Sequence, residues 1–286
     1  MMEHIPVRQI NTAQTAPAWP ESFGIRDIGE ELATRDMVQE LHRHDFYYIL
    51  VIKNGAGHHD IDFSTYPVSD HVVFVMRPGQ VHQLVLKSGT TGFMMQFRDD
   101  FYFTQSNTSK QLLHKAARVN HYQPGAHSFQ KLLTILISIF EEYTGKQEKY
   151  QEVIKASMDI FFIALGRLQS GISSGNGNLY TQEQLENFSA LLAAHAFSHK
   201  PVSEYAEMLH LSAWQLNAIT KATLGKTCSA VINEHMILEA KRYLLATSEQ
   251  VNQIADRLGY EDVSYFIRFF KKHTGYSPET FRHRFS

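Results

Sequence analysis

The chain has 286 residues, 43% of them hydrophobic and 20% charged, with a formal net charge of −2, a length and balance that suit two globular domains. No run reaches the roughly 18 apolar residues of a bilayer helix, and the single cysteine, Cys228, leaves no internal disulfide to form. The near-neutral charge excludes bulk positive charge as an anchor to DNA, so any nucleic-acid function must rest on local residues. The opening "MMEHIPVRQINTAQ" lacks the basic-then-apolar order of a secretory signal, and the expected location is the cytoplasm.

From about Phe23 to Phe103 the sequence reads as short strands. "FYYILVIKNGAGHHDIDF" is an apolar strand, a tight hairpin turn at Asn54-Gly55, and a second, alternating strand. "DHVVFVMRPGQVHQLVL" repeats the scheme around Pro78-Gly79, and "GTTGFMMQF" adds one strand more. Strands at this spacing predict an antiparallel barrel or sandwich. From about 109 to 168 the period becomes helical: Leu132, Leu133, Leu136, Ile139 and Phe140 share one stripe, and Ile154, Met158, Phe161 and Leu165 another. The Gly/Ser/Asn-rich "QSGISSGNGN" (169–178) then reads as a flexible linker and domain boundary.

Beyond the linker, residues 179–286 read as short helices. "VSEYAEMLHLSAWQLNAITKATLG" and "VNQIADRLGYEDVSYFIRFFKKHTG" are each a short helix, a tight turn and a second helix closed by glycine. Ala206 and Ala255 sit early in the two first helices, where small size permits a close crossing, and Leu216 aligns with Phe266. Both units have the form of a helix-turn-helix whose second helix can enter a major groove. One continuous helix, roughly 230–246, joins them. A rigid connector suits recognition helices offered to successive groove turns, about 34 Å apart.

The stretch "IADRLGYEDVSYFIRFFKKHTGYSPETFR" resembles the signature of the AraC/XylS family of transcriptional regulators over roughly residues 183–286. The strand-rich region is more loosely similar to the cupin-like sensing domain of many members. The resemblance implies an α+β protein: an N-terminal antiparallel β-barrel with long helices, and an all-α domain with two helix-turn-helix units. It also implies double-stranded DNA as partner. In the second unit Phe266 and Phe270 are core, leaving Val263, Ser264, Ile267, Arg268 and Lys271 exposed. By the resemblance Arg268 contacts bases, and bidentate Arg to guanine is the usual strong contact. Lys271, Lys272, Arg282 and Arg284 would hold phosphates. In the first unit Trp214, Gln215, Asn217, Ala218 and Lys221 can face DNA. Trp214 matches a position where the family can contact bases, whereas Ala218 stands where an arginine is common, so this unit is expected to bind bases less strongly than the second or to read thymine methyls through apolar contact. Cys228 is expected to be a small buried residue.

The stretch "LHRHDFYYIL" (41–50) raises a separate question. Strand geometry puts His42, His44, Phe46 and Tyr48 on one face, and His82 can approach if the sheets close. Three histidines and a carboxylate would make a cupin metal centre. Here Tyr48 and Ile49 stand where the enzyme pattern wants a glutamate, and the motif around His82 is incomplete. The expectation is therefore no metal and no cofactor, with these five residues lining an effector pocket; a filled core is the alternative.

Taken together the residues predict a cytoplasmic, sequence-specific DNA-binding regulator that catalyses nothing, an activator by resemblance. Its barrel would sense a small molecule or mediate dimerisation. The helices at 127–168 are expected to join a homodimer because their stripes exceed what one barrel face covers, and RNA polymerase is a further partner. The rival reading is a cupin-type metal-dependent enzyme fused to a DNA-binding module.

Overall fold

The segments "YYILVI" (47–52) and "VVFVM" (72–76) are buried along their whole length, not on alternate residues. A strand covered on both faces has no reason to alternate, and both lie in the middle layer of the N-terminal unit. The computed structural model describes residues 7–8, 22–102, 107–170, 179–195, 198 and 200–285. The chain divides into two units, one within residues 6–174 and one within 175–286.

In the first unit the strands are β1 (Val7–Arg8), β2 (Phe23–Asp27), β3 (Met37–His44), β4 (Tyr47–Asn54), β5 (Gly57–Ile61), β6 (Ser64–Val68), β7 (Val72–Met76), β8 (Val81–Leu86), β9 (Thr91–Phe97) and β10 (His121–Tyr122). They form two five-stranded sheets, ordered β1-β3-β8-β5-β6 and β10-β7-β4-β9-β2. Among the described residues only β1 and β3 pair in parallel. The predicted barrel is thus two facing sheets of jelly-roll type whose ladders do not join into one closed cylinder.

One core lies between the sheets, from Met37, Ile61, Leu84 and Leu86 on one side to Tyr48, Leu50, Phe74 and Met76 on the other. The opposite face of the second sheet, with Tyr47, Ile49, Val51, Val73 and Val75, packs on helices. These helices are α1 (Asp99–Tyr102), α2 (Asn107–Ala116), α3 (Ala126–Gly145) and α4 (Tyr150–Ser170).

The turn at Asn54-Gly55 is not the expected hairpin: β4 and β5 belong to different sheets, so it is a corner. Pro78-Gly79 is another corner, between β7 and β8, with Gly79 at φ 83°. The two-residue hairpin instead joins β5 to β6 through Asp62 (φ 47°) and Phe63 (φ 70°), both positive as a tight hairpin of this twist requires.

Leu132, Leu133, Leu136 and Ile139 of α3, with Ile154, Met158, Phe161 and Leu165 of α4, are all buried in the core beneath the second sheet. The stripes are therefore consumed within their own unit, which removes the reason given for dimerisation through them. Ile137, Val153 and Ile160 remain exposed, Ile160 at 57%. Of the expected linker 169–178, residues 171–178 lie outside the described residues, and α4 runs to Ser170.

The second unit holds α5 (Leu179–Ala194), α6 (Val202–Met208), α7 (Ala213–Leu224), α8 (Cys228–Ala246), α9 (Val251–Arg257), α10 (Val263–Thr274) and α11 (Pro278–Phe285). Their boundaries follow from local chemistry. Ser212 and Gln215 form a reciprocal capping box at the start of α7. The Asp262 carboxylate accepts from the Ser264 N–H at the start of α10. Gly225 (φ 68°) and Gly275 (φ 81°) close α7 and α10 in the left-handed conformation. Helix α5, not singled out from the sequence, places Phe188 edge-on against Tyr205 of α6 at 5.6 Å. No helix among the described residues is long and apolar enough to cross a membrane.

Candidate functional site

The helical unit contains two copies of one arrangement. α6 and α7 are joined through Leu209–Ser212, and α9 and α10 through Leu258–Asp262. In both, a backbone N–H beyond the turn reaches back five residues, Leu211 to the Ala206 carbonyl at 2.8 Å and Tyr260 to the Ala255 carbonyl at 2.9 Å. Leu216 and Ile219 of α7, and Phe266 and Phe270 of α10, are buried. This anchoring leaves the opposite side of each second helix in solvent.

On α7, Trp214 is 78% exposed, and Gln215, Ala218 and Lys221 are also exposed. Two of the expected DNA residues already have structural work. The Gln215 side-chain carbonyl accepts from the Ser212 N–H at 2.8 Å, and the Asn217 side-chain carbonyl accepts from the Cys228 N–H at 3.1 Å. Their amide NH2 groups are the part that DNA could use. On α10, Ser264, Arg268, Lys271 and Lys272 are exposed and Ile267 is half-buried. The Arg268 guanidinium lies a loose 3.8 Å from the Asp262 carboxylate.

Arg282 is a correction. It was expected among the phosphate contacts, but its side chain is buried, with Nε donating to the Leu244 carbonyl at 2.9 Å and a terminal nitrogen to the Glu249 carbonyl at 2.6 Å. It ties α11 to the end of α8 and the approach to α9. Arg284 lies over the Tyr276 ring at 5.0 Å.

A groove of about 630 Å3 opens between α6, α8 and α10, with Lys200, Ser229, Asn233, Arg268, Lys272 and His273 on its walls. Ser229 belongs to the first turn of α8, where the helix dipole favours an anion. The sequence reading did not find Lys200, Ser229, Asn233 or His273, because they come from three separate elements and share no local pattern. Cys228 is buried and its thiol is pushed up to about 11 by burial.

In the strand-rich unit the structure brings together all five residues expected to line a pocket. His42, His44, Phe46, Tyr48 and His82 are each buried. Ring centroids lie 4.1 Å apart for His42 and His82, 4.3 Å for His44 and Phe46, and 5.3 Å for the stacked His44 and Tyr48. They do not share one strand: β3 ends at His44 in the first sheet and β4 begins at Tyr47 in the second. A register shift in β3 between Gln39 and His42 turns both Met37 and His42 inward, which plain alternation forbids.

A fourth histidine, His59 on β5, completes the cluster and was missed. Its Nε2 lies 2.8 Å from His82 Nδ1, and His82 Nε2 lies 2.8 Å from His44 Nε2. Burial, with the His42 and His58 charges behind it, lowers the His59 pKa to about 3, so this imidazole is neutral at neutral pH. The available signal was the alternation in "GHHDIDF", which puts His59 and Ile61 on one face.

The profile described as the AraC-like ligand binding domain matches residues 30–158, and the profile described as a helix-turn-helix domain matches residues 205–284. The chain belongs to the AraC family of transcriptional regulators. It is accordingly a DNA-binding regulator with a ligand-binding domain. Among relatives of this AraC-family chain, the HTH-type transcriptional activator RhaS of Enterobacter sp. (strain 638) is 24% identical over 241 residues, 84% of this chain and 86% of RhaS. The uncharacterised HTH-type regulator YfiF of Bacillus subtilis (strain 168) is 23% identical over 274 residues, 85% of this chain and 78% of YfiF. The crystal structure of ToxT from Vibrio cholerae O395 aligns over 92% of this chain and 98% of its own, with 14% identity and a TM-score of 0.43.

Proposed function

We propose that this AraC-family chain activates transcription by reading double-stranded DNA with α7 and α10, under control of a ligand held in the strand-rich unit. The observation that carries the reading is the repeated helix-turn-helix, which buries one side of each second helix and exposes Trp214 on one and Arg268 on the other. Arg268 and Ser264 are suited to base edges, with Ile267 beside them for apolar contact. Lys221, Lys271 and Lys272 are suited to phosphates, as is the groove between α6, α8 and α10. Local cations of this kind explain how a chain of net charge −2 can hold a polyanion.

In this reading the chain catalyses nothing and works in the cytoplasm, where the chromosome lies. Its effector site is the interior around His42, His44, Phe46, Tyr48 and His82. The ligand acts by binding one arrangement of the regulator better than another. Self-association uses the exposed outer face of α4, with Val153 and Ile160, and the activator role makes RNA polymerase a partner. The direct test is selection of bound duplexes from a randomised DNA pool by the full chain. Enrichment of a defined sequence, lost with Arg268→Ala, is the expected result. Retention of the pool without enrichment would leave charge-driven binding only and defeat the reading.

A further inference from the structure

The histidine cluster has the build of a metal centre. The ligating nitrogens of His42, His44 and His82 all lie within 4.8 Å of one another, and each residue is buried. Two of the three already have the outer support that orients a metal-bound imidazole. His42 Nδ1 lies 2.6 Å from the Glu40 carbonyl, which can only accept, so this nitrogen carries the proton and Nε2 is the unprotonated one. His82 Nδ1 has His59 Nε2 as its partner at 2.8 Å. Glu40 and Leu41 have no register partner on β8, because of the shift in β3. The same irregularity that turns His42 inward therefore places a carbonyl beneath its ring.

We propose that His42, His44 and His82 bind one divalent first-row transition ion, with His59 and the Glu40 carbonyl fixing two of the three rings. This rests on the ligand-sensing reading of the unit and deepens it: the sensed ligand is, or contains, that ion. It replaces the metal-free expectation, because His59 and the carbonyl are features no spacing revealed. Three neutral imidazoles favour Zn2+, Co2+, Ni2+ or Cu2+ over Mg2+ or Ca2+, which require oxygen donors. With Tyr48 where a carboxylate would stand, the cluster offers an ion three nitrogen ligands and no carboxylate. Ligand bonds of about 2.05 Å to a tetrahedral ion set the nitrogens roughly 3.3 Å apart. The 2.8 Å between His44 and His82 needs only a small rotation of either ring.

The test uses the full chain, stripped with a chelator and titrated with Co2+ in the absence of DNA. One equivalent per chain is expected, with an intense visible d–d band that Zn2+ abolishes. His42→Ala and His82→Ala should remove the band, and His59→Gln should weaken binding about 10–100-fold while keeping it. His121→Ala, outside the cluster, should leave it intact. No band, or a band that survives both alanine variants, overturns the proposal. Should those variants fail to fold, X-ray absorption of the wild-type zinc form decides: three imidazole ligands support the site and fewer than three overturn it. DNA binding by the same preparations is measured separately. Loss of the ion site with intact DNA binding sinks this inference alone, and intact metal binding without DNA binding sinks only the regulator reading.

Discussion

His210 and Gly259 occupy the same place in the two helix-turn-helix units, one residue beyond the C-cap of the first helix, and both take the left-handed conformation, φ 54° and 79°. Each N–H donates three residues back, His210 to the Glu207 carbonyl and Gly259 to the Asp256 carbonyl, both at 2.9 Å. The glycine adopts this conformation without steric cost, whereas a residue with a Cβ is strained there by about 1 kcal/mol. His210→Gly is therefore expected to stabilise the helical unit by about 0.5–1 kcal/mol, and Gly259→Val to destabilise it by more. Urea denaturation followed by circular dichroism reads both. A destabilised His210→Gly would show that the histidine ring contributes more than its backbone strain removes.

Arg268 and Lys221 differ in what they can do on DNA. Arg268→Ala should cost about 1–3 kcal/mol at the specific site and relax its sequence preference. Lys221→Ala and Lys272→Ala should weaken all sequences alike and reduce the salt slope by about one unit each. Titrations at several salt concentrations separate the two behaviours. A larger specific loss for Lys221→Ala than for Arg268→Ala would contradict the assignment.

Arg282 predicts the opposite pattern. Its two bonds to the Leu244 and Glu249 carbonyls are charge-assisted and buried, so Arg282→Ala should cost about 2–3 kcal/mol of stability. Below the variant's melting range its DNA salt slope should equal that of the wild type. A reduced slope would return Arg282 to the phosphate contacts.

Cys228 should be inert in the folded chain. It is 1% exposed and its thiol is raised to about 11, so almost no thiolate is present near pH 8. A thiol-reactive chromophore is expected to titrate no group in native buffer and one in denaturant. Rapid native labelling would reopen a redox role.

The outer face of α4 tests self-association. Ile160 is 57% exposed, so Ile160→Glu should alter no core packing and leave the melting temperature within a degree or two. Light scattering is expected to show a dimer for the wild type and a monomer for this variant. Unchanged mass in both would place self-association elsewhere or nowhere.

The strand-rich first part, the helical second part, the two helix-turn-helix units and the family were legible in the residues alone. Those features rest on local signals: apolar period, capping residues such as Ser212 and Asp262, and glycines at 225 and 275 whose φ is positive. What the sequence left open depends on contacts between distant segments. It did not show that Asn54-Gly55 turns a corner between sheets, because pairing partners are chosen across the sheet and not across the turn. Nor did it show that α3 and α4 spend their stripes on the second sheet, or that Arg282 is buried under carbonyls from α8 and the connection that follows it. The histidine cluster divides the same way. His42, His44 and His82 were visible as spacings, but the shift in β3, the Glu40 carbonyl and His59 enter only when three strands are laid side by side. Periodicity determines which face a side chain takes, and only the packed sheets decide what that face meets.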